Sequence, residues 1–344
     1  MRITRRRFLD AAIGLSAGLA GCGVDALRGT SEITRHRSRL LAMTTGVHGH
    51  VGATVPESAL QSGCYSAGQT QDQADAAWEA AVGRRMAATK KFNRQGQFPA
   101  DLTVNNIGRY IGRGVKVCVT FKPAFNLVSA TDRQNLAATL NLYKSSGLNA
   151  DVALWQEAGD AANRMSPKQY QQVYEYYGPT VRKYFPLVAD LSFANEMVSN
   201  YTDYANLVTG LVDKFAIDYY YNAYQNSKTT SVPACPLDAA ADIADSVGLP
   251  FGIWEFNTGG VPPSAPDQSH GTAFMHYVQK FMEDRLSAGK ANAEVMFYDG
   301  TCDVFEPNGQ PIPILSPSDY RIPLYQQLWD MLSPPTALAT LTPR

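Results

Sequence analysis

The chain is poor in charge and in cysteine. Charged residues make up 18% of its 344 residues, the formal net charge is −1, and five residues are cysteine. Without a basic patch or a nucleic-acid-binding motif, DNA and RNA are not expected as partners. No two cysteines stand in a Cys-x-x-Cys spacing, so the sequence does not indicate a zinc site.

Two nucleotide-binding motifs are also missing. No Gly-x-Gly-x-x-Gly follows the early predicted strands, and no Gly-x-x-x-x-Gly-Lys-Ser/Thr loop occurs. These absences argue against a dinucleotide or nucleoside triphosphate, and no cofactor is predicted. His48 and His50 have a spacing that could bind metal, but without nearby cysteines they are predicted to be solvated, so no metal site is predicted.

The N-terminus has the pattern of a processing segment. Thr4-Arg-Arg-Arg-Phe-Leu9 resembles a twin-arginine export signal, and Leu19-Ala-Gly-Cys22 resembles a bacterial lipobox. The apolar run between them is too short to span a membrane. We therefore predict an export signal at 1–21, a lipid on Cys22 and a tether at 22–60, giving a bacterial lipoprotein of the cell envelope or a secreted protein.

Beyond residue 60, predicted strands alternate with predicted helices. Alternation of this kind implies a parallel sheet, and about eight units favour a closed (β/α)8 TIM barrel, an α/β fold, over residues 61–344. The pattern places Cys118 in a strand as a small apolar residue, whereas Cys235 and Cys302 are candidates for a disulfide. The eight predicted strands are Ser62–Ala67, Arg84–Phe92, Val115–Phe121, Val152–Glu157, Leu187–Asn195, Lys214–Tyr220, Phe251–Phe256 and Ala293–Tyr298.

Two of these strands end in a glutamate. Glu157 closes Asp151-Val-Ala-Leu-Trp-Gln-Glu157, and Glu255 closes Pro250-Phe-Gly-Ile-Trp-Glu255. A carboxylate at the end of a buried strand is costly to bury, and the C-terminal ends of barrel strands are where such enzymes keep their sites. Glycosidic cleavage needs one protonated and one ionised carboxyl group. The alternative is that each glutamate pairs with an arginine or caps a helix.

Side-chain alternation along a strand predicts the face on which each glutamate side chain lies. It places Glu157 on the same face as Trp155, and Glu255 on the same face as Ile253 and Phe251. Both carboxylates are then expected to point inward at the mouth of the barrel, where they can face each other.

The same stretches resemble the clan A glycoside hydrolases. Leu154-Trp-Gln-Glu157 is similar to the acid/base segment of that clan, Pro250-Phe-Gly-Ile-Trp-Glu-Phe256 to its nucleophile strand, and Phe215-Ala-Ile-Asp-Tyr-Tyr220 to its sixth strand. The resemblance implies a retaining hydrolase of an extracellular poly- or oligosaccharide, with Glu157 as acid/base and Glu255 as nucleophile. Many members have Asn before the acid/base, where this chain has Gln156, whose amide is expected to donate to a sugar hydroxyl.

Further substrate contacts are predicted around the two glutamates. They come from residues that flank a glutamate or end a strand, and for each aromatic residue ordinary packing is the alternative. A tyrosine hydroxyl at the end of strand six is also placed to orient Glu255. The predicted substrate-binding residues are Trp155, Gln156, Asn195, Tyr219, Trp254 and Tyr298.

Two other functions remain open at the level of sequence. A non-catalytic glycan-binding barrel lipoprotein would bind sugars but tolerate a change of Glu157 to Gln. A barrel enzyme of another class would use the carboxylates for metal binding or proton transfer. No prediction of oligomeric state follows from the sequence.

Overall fold

A computed structural model gives the fold. It describes residues 51–54, 70–123, 128–156, 158, 165–192, 201–220, 236–257, 268–298 and 321–332. Eight parallel strands form one sheet in the order β1-β8-β7-β6-β5-β4-β3-β2, which is a nearly closed barrel. The strands are β1 (Val51–Thr54), β2 (Ala88–Phe92), β3 (Lys116–Phe121), β4 (Ala150–Leu154), β5 (Leu187–Ser192), β6 (Lys214–Tyr220), β7 (Phe251–Asn257) and β8 (Asn292–Tyr298).

Helices cover the outside of the sheet. A 3-10 helix, Val104–Tyr110, lies between β2 and β3. The eight parallel strands with helices on the outside confirm the predicted (β/α)8 barrel. Within the described part of the chain the α-helices are α1 (Gln71–Val82), α2 (Ala130–Ser145), α3 (Pro167–Val181), α4 (Tyr201–Val208), α5 (Pro236–Ser246), α6 (Gln268–Ser287) and α7 (Arg321–Leu332).

Helix starts follow the capping rules, with one difference from prediction. Thr70 and Ser166 form capping boxes with Gln73 and Gln169, and Pro167 occupies the first turn of α3 as predicted. The helix α2 was predicted to begin at Thr131, but it begins at Ala130, and Ser129 is its cap because the Ser129 side chain accepts the hydrogen bond from the Asp132 amide.

The barrel closes where β1 meets β2. The Ala87 amide donates to the Val51 carbonyl at 3.0 Å, and Gly52 lies so close to β2 that a Cβ would stand 1.8 Å from the Ala88 carbonyl oxygen. The first strand predicted from the sequence, 62–67, lies outside the described residues. The observed strand, Val51–Thr54, lies N-terminal to the predicted domain start at 61, and its four residues with a glycine give little strand signal.

Two layers fill the lower barrel. The floor holds three buried charges and one half-buried charge, with Lys214 3.2 Å from Glu294, and the half-buried Lys116 3.3 Å from Glu294 and 3.4 Å from Asp151. Lys214 also pairs with Asp151. Above this floor a small apolar layer surrounds one indole ring and includes Cys118, a free buried thiol that packs as predicted. This layer consists of Ala88, Cys118, Ala153, Val188, Ala216, Trp254 and Met296.

The larger apolar core lies between the strands and the helices. Tyr174 donates to the Val188 carbonyl at 2.8 Å, and Trp78 packs edge-on against Tyr325 at 5.2 Å between ring centroids. None of the described helices is long and apolar enough to cross a membrane. The barrel thus carries its main hydrophobic packing outside the sheet and leaves its interior to a charged floor, an apolar layer and the site above them.

Candidate active site

A lysine stands at the centre of the upper barrel. Lys90 of β2 is fully buried, and its Nζ lies 2.7 Å from Glu255 Oε1, 2.8 Å from Asp190 Oδ2 and 2.9 Å from Asp218 Oδ1. The three carboxylates come from β7, β5 and β6, so four strands each supply one charge. We refer to Lys90, Asp190, Asp218 and Glu255 as the Lys90 cluster.

An irregularity in β7 turns Glu255 inward. Ile217 pairs with Ile253, but the next residue of β6, Asp218, pairs with Glu255. The pairing with β8 also shifts between Ile253 and Phe256. The extra residue is the signature of a β-bulge, and it places Trp254 and Glu255 both toward the barrel interior.

Simple alternation therefore gave the wrong neighbours for Glu255. Phe251 and Ile253 belong to the outer core, whereas Glu255 belongs to the Lys90 cluster. The expectation that Glu255 points inward is met, but by a bulge and not by regular alternation.

Burial and charge act against each other in this cluster. Burial alone would lower the pKa of Lys90, but the carboxylates of Asp190, Asp218 and Glu255 raise it well above its usual range. Burial raises the pKa of the Asp190 carboxyl, the Lys90 ammonium opposes that shift, and the charge of Glu255 adds to it. Lys90 is therefore a permanent cation near neutral pH, and its ammonium counteracts the effect of burial on the Asp190 carboxyl.

Aromatic rings support the lysine. Lys90 Nζ lies 5.2 Å from the centre of the Phe92 ring and 5.7 Å from that of Trp254. Trp254, predicted to bind substrate, has no exposed surface and fills the apolar layer directly below the cluster. Small neighbours such as Ala153 and Ala216 make room for its indole. A contact between Trp254 and substrate stays a prediction, while its contact with Lys90 is observed.

The end of β4 has an unusual backbone. Trp155 adopts φ 54°, in the left-handed region, and its amide donates to the Phe121 carbonyl at 2.7 Å. A non-glycine residue in this region is strained, and such strain concentrates at functional sites. The following residue, Gln156, is 8% exposed, and its buried Oε1 accepts no hydrogen bond from the described residues. Glu157 itself lies outside the described residues.

The other predicted site residues fall in three places. Tyr219 lies outside the sheet, stacked on Phe274 at 5.8 Å between ring centroids and close to Tyr277. The structure does not bring it to the Lys90 cluster. Tyr298 ends β8, although its side chain is not among those described. Asn195 and Cys22 lie outside the described residues.

Sequence reasoning missed Lys90 and Asp190 and did not connect Asp218 with Glu255. The signal was present, since each is a charged residue inside an otherwise buried strand: Ala-Thr-Lys90-Lys-Phe, Leu-Val-Ala-Asp190-Leu-Ser and Phe-Ala-Ile-Asp218-Tyr. A charge in such a position needs a partner. What the sequence does not show is which charges meet.

The chemistry of the cluster differs from that of a metal centre. No group of three or more His, Cys, Asp or Glu among the described residues is arranged to hold a metal ion. In the Lys90 cluster the ammonium occupies the space between the three carboxylates, which is where a cation would bind.

Several solved structures with similar folds are glycoside hydrolases. The catalytic domain of a family 26 endo-β-1,4-mannanase from Bacillus sp. JAMB-750 is 14% identical, with a TM-score of 0.54, over 85% of this chain and 88% of that one. A modular family 26 endo-β-1,4-mannanase from Cellulomonas fimi is 17% identical, with a TM-score of 0.51, over 85% and 72%. An endo-1,4-β-xylanase from Caldicellulosiruptor owensensis is 13% identical, with a TM-score of 0.51, over 80% and 96%.

At the level of sequence, no protein-family model and no curated protein matches the chain. At identities this low, a structural likeness establishes the fold and leaves the function to the site. The chain therefore shares the (β/α)8 barrel fold of these three enzymes.

Proposed function

We propose that the protein is a retaining glycoside hydrolase in which Glu255 is the nucleophile and Glu157 the acid/base. The observation that carries the proposal is the Glu255 carboxylate, which a β-bulge near the C-terminal end of β7 turns into the barrel and which lies 2.7 Å from the Lys90 ammonium. The C-terminal ends of the strands are where barrel enzymes hold their catalytic groups.

The reaction has two steps. Glu255 attacks the anomeric carbon, the bond to the leaving oxygen breaks, and Glu157 gives that oxygen its proton, which leaves a glycosyl ester on Glu255. Water then attacks the ester while Glu157 takes a proton from it, and the sugar leaves with its original configuration. The two roles need one ionised and one protonated carboxyl group.

Gln156 is suited to hold the sugar. Its Oε1 is buried without a hydrogen-bond donor among the described residues. An unpaired buried acceptor costs about 1–3 kcal/mol. A sugar hydroxyl that donates to Oε1 would remove that penalty, so the penalty in the free protein becomes affinity in the complex. The substrate we propose is a poly- or oligosaccharide, in keeping with the mannanases and the xylanase that share the fold.

Release of reducing sugar from a panel of β-linked polysaccharides tests the proposal. The protein is compared, in a form that begins after Cys22, with Glu157→Gln, Glu255→Gln and the exposed helix variant Glu175→Gln as control. We expect the first two to lose at least about a thousandfold in kcat/KM, as loss of a central catalytic group does. Glu175→Gln is expected to match the parent.

Azide, an external nucleophile, distinguishes the nucleophile from the acid/base. Azide fills the space left in Glu255→Ala and attacks the anomeric carbon from the nucleophile's face, so it yields a glycosyl azide of inverted configuration. In Glu157→Ala it attacks the glycosyl ester and yields the retained configuration. Azide products of the opposite pattern would reverse the roles of the two glutamates. Full activity in both glutamine variants would remove them from the mechanism.

We also propose that the protein is exported and held at the bacterial cell envelope by a lipid on Cys22. The support is the N-terminal sequence, with Thr4-Arg-Arg-Arg-Phe-Leu9 and Leu19-Ala-Gly-Cys22. Radiolabelled palmitate should label the parent and not Cys22→Ala. Replacement of Arg5, Arg6 and Arg7 by Lys should leave the precursor in the cytoplasm. Labelling of Cys22→Ala would contradict the lipid site.

A further inference from the structure

We propose that Lys90 is a positioning residue for Glu255, and that Asp190 and Asp218 fix the ammonium from its other side. The inference rests on the proposed function of Glu255 as nucleophile and adds the group that orients it. Neither the sequence patterns nor the low-identity structural neighbours assign a role to Lys90.

The geometry leaves the ammonium one position. An alkylammonium has three N–H donors, and the three carboxylates lie 2.7, 2.8 and 2.9 Å from Nζ. Lys90 is fully buried, and the rings of Phe92 and Trp254 lie beside its Nζ. Since the Lys90 ammonium donates to Asp218, lies within ion-pair distance of Asp190 and Glu255 and is packed on its other sides, it holds Glu255 Oε1 at a fixed point.

Formation of the ester changes the charge of the cluster. When Glu255 attacks an anomeric carbon, its carboxylate becomes a neutral ester, and Lys90 loses one of its three charged partners. Asp190 and Asp218 remain charged, so the ammonium keeps two counter-charges. It therefore stays in its position while the sugar is bound to Glu255. The negative charge of Glu255 is also one of the causes that raise the Asp190 pKa. Its loss therefore favours the ionised form of Asp190 when Lys90 needs it.

A purely structural role fits the cluster less well. Buried ion groups replaced by apolar residues of similar volume are often neutral or stabilising for a fold, whereas removal of one partner costs about 3–5 kcal/mol. Four charges from four strands are thus a costly way to pack, and the floor of the barrel shares that cost with the Lys90 cluster. What distinguishes the Lys90 cluster is its position near the C-terminal end of β7, where barrel enzymes hold their catalytic groups.

The barrel floor offers a matched control. Lys214 is also a buried strand lysine with two carboxylate partners, Asp151 and Glu294, but it belongs to a different layer from Glu255. Lys90→Met and Lys214→Met each remove one buried ammonium from the same barrel. A general loss of stability affects both variants, while an effect through Glu255 appears in Lys90→Met alone.

The pH profile of kcat/KM provides the first readout, with activated dinitrophenyl β-glycosides as probes. Lys90 pairs with Glu255, Asp190 interacts electrostatically with it, and Asp218 shares the same ammonium. In Lys90→Met we expect the acidic limb to move up by at least one pH unit and kcat to fall about a hundredfold. In Lys214→Met the limb should stay in place. A limb unmoved in Lys90→Met would overturn the proposal.

A second readout does not depend on turnover. The side-chain carboxyl carbon of Glu255 can be followed by 13C NMR against pH, assigned by its absence in Glu255→Gln. Its titration midpoint should rise by at least one pH unit in Lys90→Met and not in Lys214→Met. An inactive parent whose Glu255 still responds to Lys90→Met would overturn the proposed function alone. An equal response in both lysine variants would overturn the role of Lys90.

Asp190→Asn keeps the proposal testable if Lys90→Met does not fold. This variant keeps the size and planar shape of the Asp190 side chain and removes its negative charge from the cluster. The Glu255 midpoint is then expected to stay in place or to fall, which is opposite to the effect of Lys90→Met. A rise of the midpoint in Asp190→Asn would contradict the arrangement of charges described above.

Discussion

Gln156 is the residue at which stability and function are expected to oppose each other. Its Oε1 is buried and accepts no hydrogen bond from the described residues. Replacement by Met, which has a similar shape and no amide, should raise the free energy of unfolding by about 1 kcal/mol. The same change should lower kcat/KM by about 10–100-fold, since a substrate hydroxyl loses its partner.

Urea unfolding and steady-state kinetics of one Gln156→Met preparation measure both effects. Gln134→Met, at an exposed position of α2, is the control and should change neither quantity appreciably. A Gln156→Met variant that is less stable than the parent would mean that the amide is satisfied in the free protein.

Single residues also mark how far sequence reasoning reaches. Glu255 could be predicted because a glutamate that follows Phe-Gly-Ile-Trp has no packing role at the end of a strand. Lys90 and Asp190 gave the same signal, but their meaning depends on strands about a hundred residues apart. Sequence indicates that a buried charge needs a partner, and only the closed barrel identifies the partner.

Among the elements, β7 departs most from its sequence pattern. Alternation predicted Glu255 beside Ile253, and the register shift placed it beside Trp254. The bulge fits because Trp254 occupies a space bounded by small residues on other strands, including Ala88 and Ala216. The residues that accommodate the bulge thus lie in the other strands of the barrel. The local sequence of β7 does not predict it.

The position of Tyr219 on the outer face of β6 leads to a second prediction. Its ring stacks on Phe274 of α6, in the layer between the sheet and the helices. We expect Tyr219→Phe to keep kcat and KM within about twofold of the parent. The reason is that the sheet itself lies between the Tyr219 ring and the Lys90 cluster. Steady-state kinetics on the polysaccharide found in the panel provide the measurement. A tenfold rise in KM would support the substrate contact predicted from the sequence.

The junction of β1 and β2 leads to a third prediction. A Cβ on Gly52 would stand 1.8 Å from the Ala88 carbonyl oxygen, so Gly52→Ala must push the two strands apart. We expect it to lower the free energy of unfolding by about 3 kcal/mol or more. Gly210→Ala is the control, since no atom lies within 4 Å of the added Cβ, and it should be neutral. Urea unfolding compares the two, and equal stabilities would show that the barrel tolerates separation at this junction.

In the whole molecule, the strand–helix rhythm was enough to predict the barrel, because each unit buries one strand against the helix that follows it. The rhythm did not reveal the first strand, since Val-Gly-Ala-Thr has no pattern of its own and owes its place to β8 and β2. Nor did it predict two charged levels inside one barrel, separated by an apolar layer around Trp254. Both features arise from closure of the sheet, which joins residues from opposite ends of the chain.

These charged levels give the molecule a distinct response to alkaline pH. The carboxylates around them raise the pKa values of Lys90, Lys116 and Lys214 against the opposing effect of burial. Burial likewise raises the pKa values of Tyr170 and Tyr201. Every one of these groups holds its proton more tightly in the folded chain than in the unfolded chain.

Stability should therefore fall as pH rises above about 10, where the same groups begin to lose protons in the unfolded chain. Below that pH their contribution is complete, since both states are protonated. Above it the folded state binds more protons, and each proton of difference lowers the free energy of unfolding by about 1.4 kcal/mol per pH unit. Urea unfolding at pH 8, 10 and 11 measures the slope.

The paired variant Lys214→Met with Asp151→Asn removes one of the lysines together with a counter-charge, so its slope between pH 10 and 11 should be shallower than that of the parent. A parent whose stability is constant from pH 8 to 11 would contradict the prediction. It would mean that these lysines and tyrosines have the same pKa values in the folded and the unfolded chain.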